Sequence, residues 1–213
     1  MKLRQLLVAL AFTGSLAAGA GAEFSVTARN TKGEPVADAV VSLVPADRST
    51  PLPPPATEGV IAQQEQEFTN YVTVVQSGTK VVFPNKDTVQ HHVYSLSKAK
   101  KFELPLYNPG SAESFVFDAP GVIALGCNIH DWMLAYLVVV PTPYFAKTDA
   151  LGAARVNAPA GRYHVEVWHP RQALNQQEDL TLADTAVARE FTLSLKPDRR
   201  IRRGPEAKAG DYR

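Results

Sequence analysis

The fold is decided by one stretch of the chain, residues 117–133, which reads FDAPGVIALGCNIHDWM. A turn signal, Pro120-Gly121, precedes a short apolar run, and this pattern predicts a strand over residues 122–127. The next apolar run predicts another strand over residues 135–140. Between the two strands lies a loop in which a cysteine, a histidine and a methionine follow one another at intervals of three residues.

Short runs of alternating apolar and polar residues recur outside this stretch, and Gly, Pro, Asn and Asp bound most of them. Such alternation is typical of half-buried strands, and no long segment holds a helical period, so we expect an all-β fold. The strand spacing suits a Greek-key sandwich. In this central part the predicted strands cover residues 72–75, 79–83, 89–95, 114–117, 122–127 and 135–140. The segment 59–67 is ambiguous between a short helix and an edge strand.

Strands are also predicted on either side of the central part. Phe24, Val26 and Ala28 alternate with polar residues and predict a strand near the start of the chain. After the central part, turn signals separate two further alternating runs, over residues 163–168 and 191–195. The chain therefore has β structure before, within and after its central module.

The early residues 33–36, Gly-Glu-Pro-Val, and the later residues 148–152, Thr-Asp-Ala-Leu-Gly, resemble the opening and the continuation of a carboxypeptidase regulatory-like domain. The resemblance implies a small outer β-sandwich that is split in sequence, so that the central sandwich is inserted in it or flanked by it. The predicted organisation is a signal peptide over 1–22, the first outer part with a Pro-rich connector over 23–60, the central domain over 61–141, the second outer part over 142–195 and a basic disordered tail over 196–213.

The start of the sequence has the pattern of an export signal. Lys2 and Arg4 precede an uncharged apolar run over residues 6–20, and residues 20–22, Ala-Gly-Ala, have the small-x-small pattern of a cleavage site. We therefore expect cleavage there and a mature protein in the periplasm. No other uncharged stretch is long enough to span a bilayer, so no integral membrane segment is expected after cleavage.

Charge and cysteine content argue against a nucleic-acid-binding protein and against a small protein held together by disulfides. Lys and Arg total 22 and Asp and Glu total 21, and the formal net charge of +1 offers no broad cationic field for a nucleic-acid backbone. The single Cys127 cannot form an intramolecular disulfide. In an oxidising compartment a lone exposed thiol is a liability, so we expect Cys127 to be either buried and inert or held by a metal.

The loop residues Cys127, His130 and Met133, with His91 or His92 from an upstream strand, have the donor types that copper binds. A two-His, one-Cys set with a weak axial Met suits an ion that cycles between cuprous and cupric states. Zinc would need His92 in place of Met133, because a thioether is a poor zinc ligand. A cysteine hydrolase is disfavoured, because no orienting Asn or Asp and no oxyanion motif is evident.

Two motifs resemble the plastocyanin and amicyanin branch of the cupredoxins, a family of blue copper proteins. One motif is residues 83–93, FPNKDTVQHHV, and the other is the stretch 117–133. The resemblance implies a cupredoxin sandwich over the central domain, 61–141, with one mononuclear copper ion. The whole chain also resembles secreted bacterial proteins labelled methylamine utilization protein, a label that does not establish a role.

By position, the resemblance makes His91 the first histidine ligand, Cys127 the thiolate, His130 the second histidine and Met133 the axial thioether. The family usually has Asn where this chain has His92. His92 is therefore either an alternative ligand or a neighbour of the site that bonds the cysteine loop. Since adjacent side chains of a strand point to opposite faces, one ligand from the pair is favoured, and we expect it to be His91.

The first functional hypothesis is a periplasmic one-electron carrier that is not an enzyme, with a redox protein such as a periplasmic cytochrome or dehydrogenase as its partner. The second is copper capture, delivery or resistance without electron transfer. The third is a structural or interaction module that copper stabilises. No catalytic residue is assigned, and His164 and His169 are expected to be outward polar residues rather than a second site.

Overall fold

The computed structural model describes residues 22–49, 51–55, 57–198 and 200. These residues form 17 strands and no helix, which confirms the prediction of an all-β fold. Within the same ranges, no helix has the length and apolar character needed to cross a membrane. Residues 1–21 of the predicted signal peptide and 201–213 of the predicted tail lie outside the described part.

The strands fall into two groups, the flanking strands and the central strands. The flanking strands are β1 (Ala22–Asn30), β2 (Val40–Pro45), β13 (Phe145–Lys147), β14 (Ala153–Ala158), β15 (Gly161–Trp168), β16 (Gln176–Leu182) and β17 (Val187–Leu193). The central strands are β3 (Gly59–Val60), β4 (Gln63–Gln64), β5 (Glu67–Phe68), β6 (Val72–Gln76), β7 (Thr79–Pro84), β8 (His91–Ser95), β9 (Phe102–Tyr107), β10 (Ala112–Phe117), β11 (Gly121–Gly126) and β12 (Leu134–Val140).

The flanking strands form what we call the outer sandwich. Its sheets have the strand orders β14-β1-β17 and β13-β2-β15-β16. β1 pairs antiparallel with β14 and parallel with β17, so the first strand is held between two strands from the last third of the sequence. Phe24, Val26 and Ala28 are buried, as their alternation predicts, and belong to one hydrophobic core with β2, β15 and β16. The domain boundaries and the carboxypeptidase regulatory-like resemblance stay predictions.

The central strands form the inner sandwich. Its sheets have the orders β10-β7-β3 and β6-β12-β11-β8-β9, and β4 and β5 form a separate hairpin. β6 pairs parallel with β12 and β3 with β7, whereas β10 with β7 and β11 with β12 are antiparallel. The ambiguous segment 59–67 therefore contains short strands. Phe83, Phe117 and Ile123 are in the core of this sandwich, and Cys127 and Met133 are in the same buried cluster.

Four strands, β9, β13, β14 and β16, are absent from the sequence prediction, and each lies at the edge of its sheet. β9 contains Pro105, which cannot donate to a ladder, and β9 is the last strand of its sheet. The pairing of β9 with β8 also shifts register between His91 and Val93. β16 is mostly polar, and of its residues Leu180 and Leu182 are buried. The strand predicted from residue 89 begins at His91.

The first residues of the predicted tail contact the outer and inner sandwiches. The Lys196 amide donates to the Arg171 carbonyl at 2.8 Å, and the Arg171 Nε donates to the Lys196 carbonyl at 2.7 Å. The Arg200 guanidinium lies 3.9 Å from the ring centroid of Tyr71. These contacts hold the start of the tail against the body, and disorder of residues 201–213 stays a prediction.

Candidate metal centre

Two neighbouring strands bring the first histidine and the cysteine together. β8 begins with His91, and β11 ends at Gly126, directly before Cys127. The two strands are antiparallel neighbours, with Gly126 opposite Tyr94. Because the start of one strand meets the end of its antiparallel neighbour at one edge of the sheet, residues that are distant in sequence become adjacent.

The loop after Cys127 brings the second histidine back to the cysteine. The Met133 amide donates to the His130 carbonyl at 3.0 Å, which closes a tight turn before β12 begins. This turn lets His130 reach the same edge of the sandwich as the cysteine. The predicted loop between two strands is thus observed, and its three sulfur- and nitrogen-bearing side chains all come from one short segment.

The three atoms of the cluster lie close enough to share one ion. The Cys127 Sγ is 3.9 Å from the His91 Nδ1 and 3.5 Å from the His130 Nδ1. All three atoms lie within 4.8 Å of one another, and no other group of three His, Cys, Asp or Glu side chains in the described ranges is so arranged. Two donors bound to one ion at roughly 2.0–2.3 Å cannot be more than about 4.4 Å apart, and both sulfur–nitrogen distances satisfy that limit.

Two residues of the cluster, His91 and Cys127, are buried, and the third, His130, reaches the surface. His91 is 0% exposed and Cys127 is 4% exposed, whereas His130 is partly exposed. The ring centroids of His91 and His130 are 4.9 Å apart, and that of Trp132 is 5.3 Å from His130. A thiol and two imidazoles in such a setting form a compact soft donor set, which suits copper better than a hard cation.

Met133 is buried in the same hydrophobic cluster as Cys127. Its role as a ligand stays a prediction, as do the ligand roles of His91, Cys127 and His130.

Asn85 shapes the loop that leads to His91. Its amide Nδ2 donates to the Val89 carbonyl at 2.9 Å and to the Tyr107 carbonyl at 3.3 Å, while its Oδ1 accepts from the Asp87 amide at 3.0 Å. Asn85 is buried, so these bonds satisfy polar groups that water does not reach. The side chain of Asn85 therefore holds this loop in place.

Asp87 contacts the ring of His91 on the side away from the cysteine. Its Oδ2 is 2.6 Å from the His91 Nε2. The carboxylate also accepts the amides of Glu65 at 2.6 Å and Gln66 at 2.9 Å. Burial raises the pKa of Asp87, but the bonds from Gln66, His91 and Glu65 outweigh it and lower the pKa below its ordinary value. Asp87 belongs to the motif over residues 83–93, but the sequence analysis assigned it no role.

His92 does not join the cluster. Its Nε2 lies 2.8 Å from the Glu103 Oε1 on the neighbouring strand β9, and its ring centroid is 5.7 Å from that of Tyr94. His91 and His92 thus face different neighbours, as strand alternation predicts. The sequence left two roles open for His92, an alternative ligand or a bond to the cysteine loop, and the bond that its Nε2 makes is to Glu103.

Tyr107 and Gln63 form a second buried polar pair beside the cluster, and no sequence pattern predicted it. The Tyr107 hydroxyl donates to the Gln63 Oε1, and Gln63 is completely buried. Burial raises the pKa of Tyr107 well above its ordinary value. Tyr107 pairs with His91 across β8 and β9, so the pair lines the same end of the inner sandwich.

The later histidines differ from each other. His164 is exposed, as expected, and its Nδ1 is 2.6 Å from the Asp179 Oδ1. The expectation that His169 points outward is wrong, because it is 5% exposed and its Nδ1 accepts from the Arg171 amide at 3.2 Å. The alternation of β15 does not predict this burial, because the strand ends at Trp168, directly before His169.

No protein-family model matches the sequence, and no curated protein matches it. Solved structures to which the chain is similar include a copper-containing nitrite reductase from Thermus scotoductus SA-01, at 22% identity and a TM-score of 0.38. That match covers 45% of this chain but 24% of the reductase. A purple cupredoxin from Nitrosopumilus maritimus is 23% identical with a TM-score of 0.35, and the match covers 39% of this chain and 100% of the cupredoxin. A reduced amicyanin mutant is 19% identical with a TM-score of 0.37, over 48% of this chain and 99% of amicyanin.

Proposed function

We propose that the chain is a type 1, or blue, copper protein of the cupredoxin kind that carries single electrons in the periplasm and is not an enzyme. The observation that supports this proposal is the cluster of the Cys127 Sγ with the Nδ1 atoms of His91 and His130, all within 4.8 Å. When bound there, one copper ion would supply one-electron chemistry by alternating between its cuprous and cupric states. Met133 would be the axial thioether.

Strand ends and a backbone hydrogen bond position the protein groups of the cluster. His91 begins a strand, Cys127 follows a strand directly, and a backbone bond closes the turn after His130. Side chains on such positions move little, so they favour a ligand geometry that changes little between two oxidation states. The low exposure of His91 and Cys127 keeps water from the sulfur.

His130 is the group through which we expect electrons to enter and leave. It is partly exposed, and the neighbouring Ile129 is 48% exposed. An exposed apolar side chain beside an accessible histidine suits brief docking of a redox partner, since weak electron-transfer encounters bury little surface. A periplasmic cytochrome or dehydrogenase is the partner class that we propose.

The test is the visible spectrum of the purified protein on titration with cupric ion. We expect one equivalent to give an intense thiolate-to-copper charge-transfer band, and we expect Cys127→Ala to lose it. The matched control is His164→Ala, an exposed histidine of the outer sandwich that should leave the band unchanged. A holoprotein that binds copper without colour would contradict the proposal.

Copper capture or delivery without electron transfer is the competing proposal. An additional copper ligand at His92 would favour capture, but the His92 Nε2 lies 2.8 Å from the Glu103 Oε1. Rates of electron self-exchange separate the two, since slow exchange with tight copper retention would favour capture. Equal thermal stability with and without copper would remove the third possibility, a module that copper only stabilises.

A further inference from the structure

The turn between β4 and β5 has an unusual backbone that is held by the residues around the cluster. Glu65 and Gln66 have φ angles of 56° and 57°, the left-handed conformation that a two-residue hairpin turn of type I′ requires at both positions. Neither residue is Gly, so the conformation costs roughly 1–2 kcal/mol per residue. Bonds from outside the turn must therefore stabilise it.

Asp87 supplies those bonds and is at the same time bonded to His91. Its Oδ1 accepts the Glu65 amide at 2.6 Å, and its Oδ2 accepts the Gln66 amide at 2.9 Å. The same Oδ2 is 2.6 Å from the His91 Nε2. The carboxylate is thus held from one side by the turn and presents one oxygen to the ring.

This contact determines which nitrogen of His91 carries the hydrogen. An ionised carboxylate can only accept, so the His91 Nε2 must donate to it. In the neutral ring the other nitrogen, Nδ1, is then unprotonated, and Nδ1 is the atom that lies 3.9 Å from the Cys127 Sγ. The ring is both oriented toward the sulfur and in the tautomer that a metal ligand needs.

The same turn also supports the second histidine. The Gln66 carbonyl accepts the Trp132 Nε1 at 2.9 Å, and the Trp132 ring lies beside His130. The turn therefore bonds to Asp87, which contacts His91, and to Trp132, which lies beside His130.

We propose that Asp87 is a positioning residue for the copper site, which holds His91 in the Nε2–H tautomer with Nδ1 toward Cys127 and thereby favours cupric over cuprous copper. The inference rests on the proposed function, because it assigns His91 as a copper ligand. An anionic acceptor on the far side of an imidazole makes the ligating nitrogen more basic, and losing such a partner typically weakens metal binding by about 10–100-fold.

Two substitutions separate this role from a purely structural one. Asp87→Asn can place its amide oxygen where Oδ2 lies and so keep the bonds from Gln66 and His91, but it removes the negative charge. Asp87→Ala removes the acceptor as well. The matched control is Asp179→Asn, because Asp179 lies 2.6 Å from a ring nitrogen of His164 in the outer sandwich, where the pair is exposed.

The first measurement compares copper affinity and reduction potential. We expect cupric affinity to fall about tenfold in Asp87→Asn and up to roughly 100-fold in Asp87→Ala, with a smaller change in cuprous affinity. Each tenfold loss of cupric relative to cuprous affinity raises the reduction potential by about 59 mV. Asp179→Asn should leave both quantities unchanged. Equal potentials in wild type and both Asp87 variants would overturn the proposal.

The second measurement uses copper-free protein and does not depend on the proposed function. Imidazole ¹⁵N spectra report the tautomer of each histidine. We expect His91 to be the Nε2–H tautomer in wild type and a mixture in Asp87→Ala, with His164 as the internal reference. A wild-type His91 in the Nδ1–H tautomer would overturn the inference even if the protein binds copper.

These two arms also separate failure of the inference from failure of the proposed function. Absence of the blue band in wild type defeats the electron-carrier proposal, while the ¹⁵N spectra still decide whether Asp87 sets the tautomer. If Asp87→Ala does not fold, Asp87→Asn and the wild-type tautomer decide the question.

Discussion

Each sandwich contains a histidine bonded to an aspartate at 2.6 Å, but the two pairs have different surroundings. The side chains of His91 and Asp87 are 0% and 11% exposed, whereas those of His164 and Asp179 are 52% and 87% exposed. Beside His91 lies the sulfur of Cys127. A His–Asp pair therefore indicates a candidate site where burial and a third donor accompany it.

The two sandwiches also differ in the polar groups that they bury. Beside its aliphatic and aromatic core, the outer sandwich buries the polar residues Ser42, Thr148 and His169, which are not part of a cluster of possible metal donors among the described residues. The inner sandwich has a similar core, but at one end it also buries His91, Gln63 and Asn85 with their hydrogen bonds. We expect the outer core to contribute stability and the inner core to contribute both stability and the geometry of the site.

The largest expected effect comes from one phenylalanine in each core. Phe24 and Phe83 are both 0% exposed, so Phe24→Ala and Phe83→Ala should each lower the free energy of unfolding by about 3–5 kcal/mol. Phe83 shares its cluster with Cys127, and Phe24 does not. We therefore expect Phe83→Ala alone to change the energy or intensity of the copper band. Urea denaturation and visible absorbance check the two expectations.

The control is the visible spectrum of copper-loaded Phe24→Ala, measured under conditions in which the variant stays folded. A band that changes as much as that of Phe83→Ala would mean that the two cores are not separate in their effect on the site.

A smaller effect concerns His169, which is buried like His91 but without a carboxylate bonded to its ring. Its pKa falls from 6.5 to about 4, mainly because of burial and then Arg171, with Arg200 adding to this and Asp38 opposing it. The folded state therefore keeps the ring neutral where the unfolded chain binds a proton. The free energy of unfolding should fall as the pH drops from 6.5 and level off below 4, by up to about 3 kcal/mol in total.

Urea denaturation of copper-free protein between pH 4 and 8 measures this loss. Because carboxylates also contribute to acid sensitivity, the relevant quantity is the difference between wild type and His169→Gln. The variant should lose less stability over this interval. Parallel curves for the two proteins would show that His169 is not held neutral.

The strands with alternating burial were predictable because their signal is local. β1, β7 and β15 show it in their own residues. β9 and β16 were not predictable, since a strand with Pro105 or with mostly polar residues is stable only through its place at a sheet edge. That place depends on pairing with distant strands, which no short window of sequence contains.

The same limit applies to the site. The spacing of Cys127 and His130 is local, so the loop could be recognised as a donor set. Joining it to His91, 36 residues away, needed the resemblance to a known motif. The bonds of Asp87 to a hairpin 21 and 22 residues upstream had no such signal, because they depend on how two loops pack.

A moderate effect is expected at the bond between Trp132 and the hairpin turn. Trp132→Phe keeps an aromatic ring beside His130 but removes the Nε1 donor to the Gln66 carbonyl. We expect a loss of about 1 kcal/mol in the free energy of unfolding, since one neutral hydrogen bond is removed. The blue band should persist. Loss of the band in a folded variant would show that this one bond, rather than the Asp87 contact, positions the histidines.

The smallest effect is expected at the exposed pair of the outer sandwich. A double-mutant cycle with His164→Ala and Asp179→Asn should give a coupling energy below about 0.5 kcal/mol, because solvent screens an exposed pair and ordering two side chains offsets its attraction. Added salt should reduce the coupling further. The corresponding cycle at His91 and Asp87 should depend much less on salt, since those side chains are shielded from solvent. A strong, salt-independent coupling at His164 would mean that burial is not what distinguishes the two pairs.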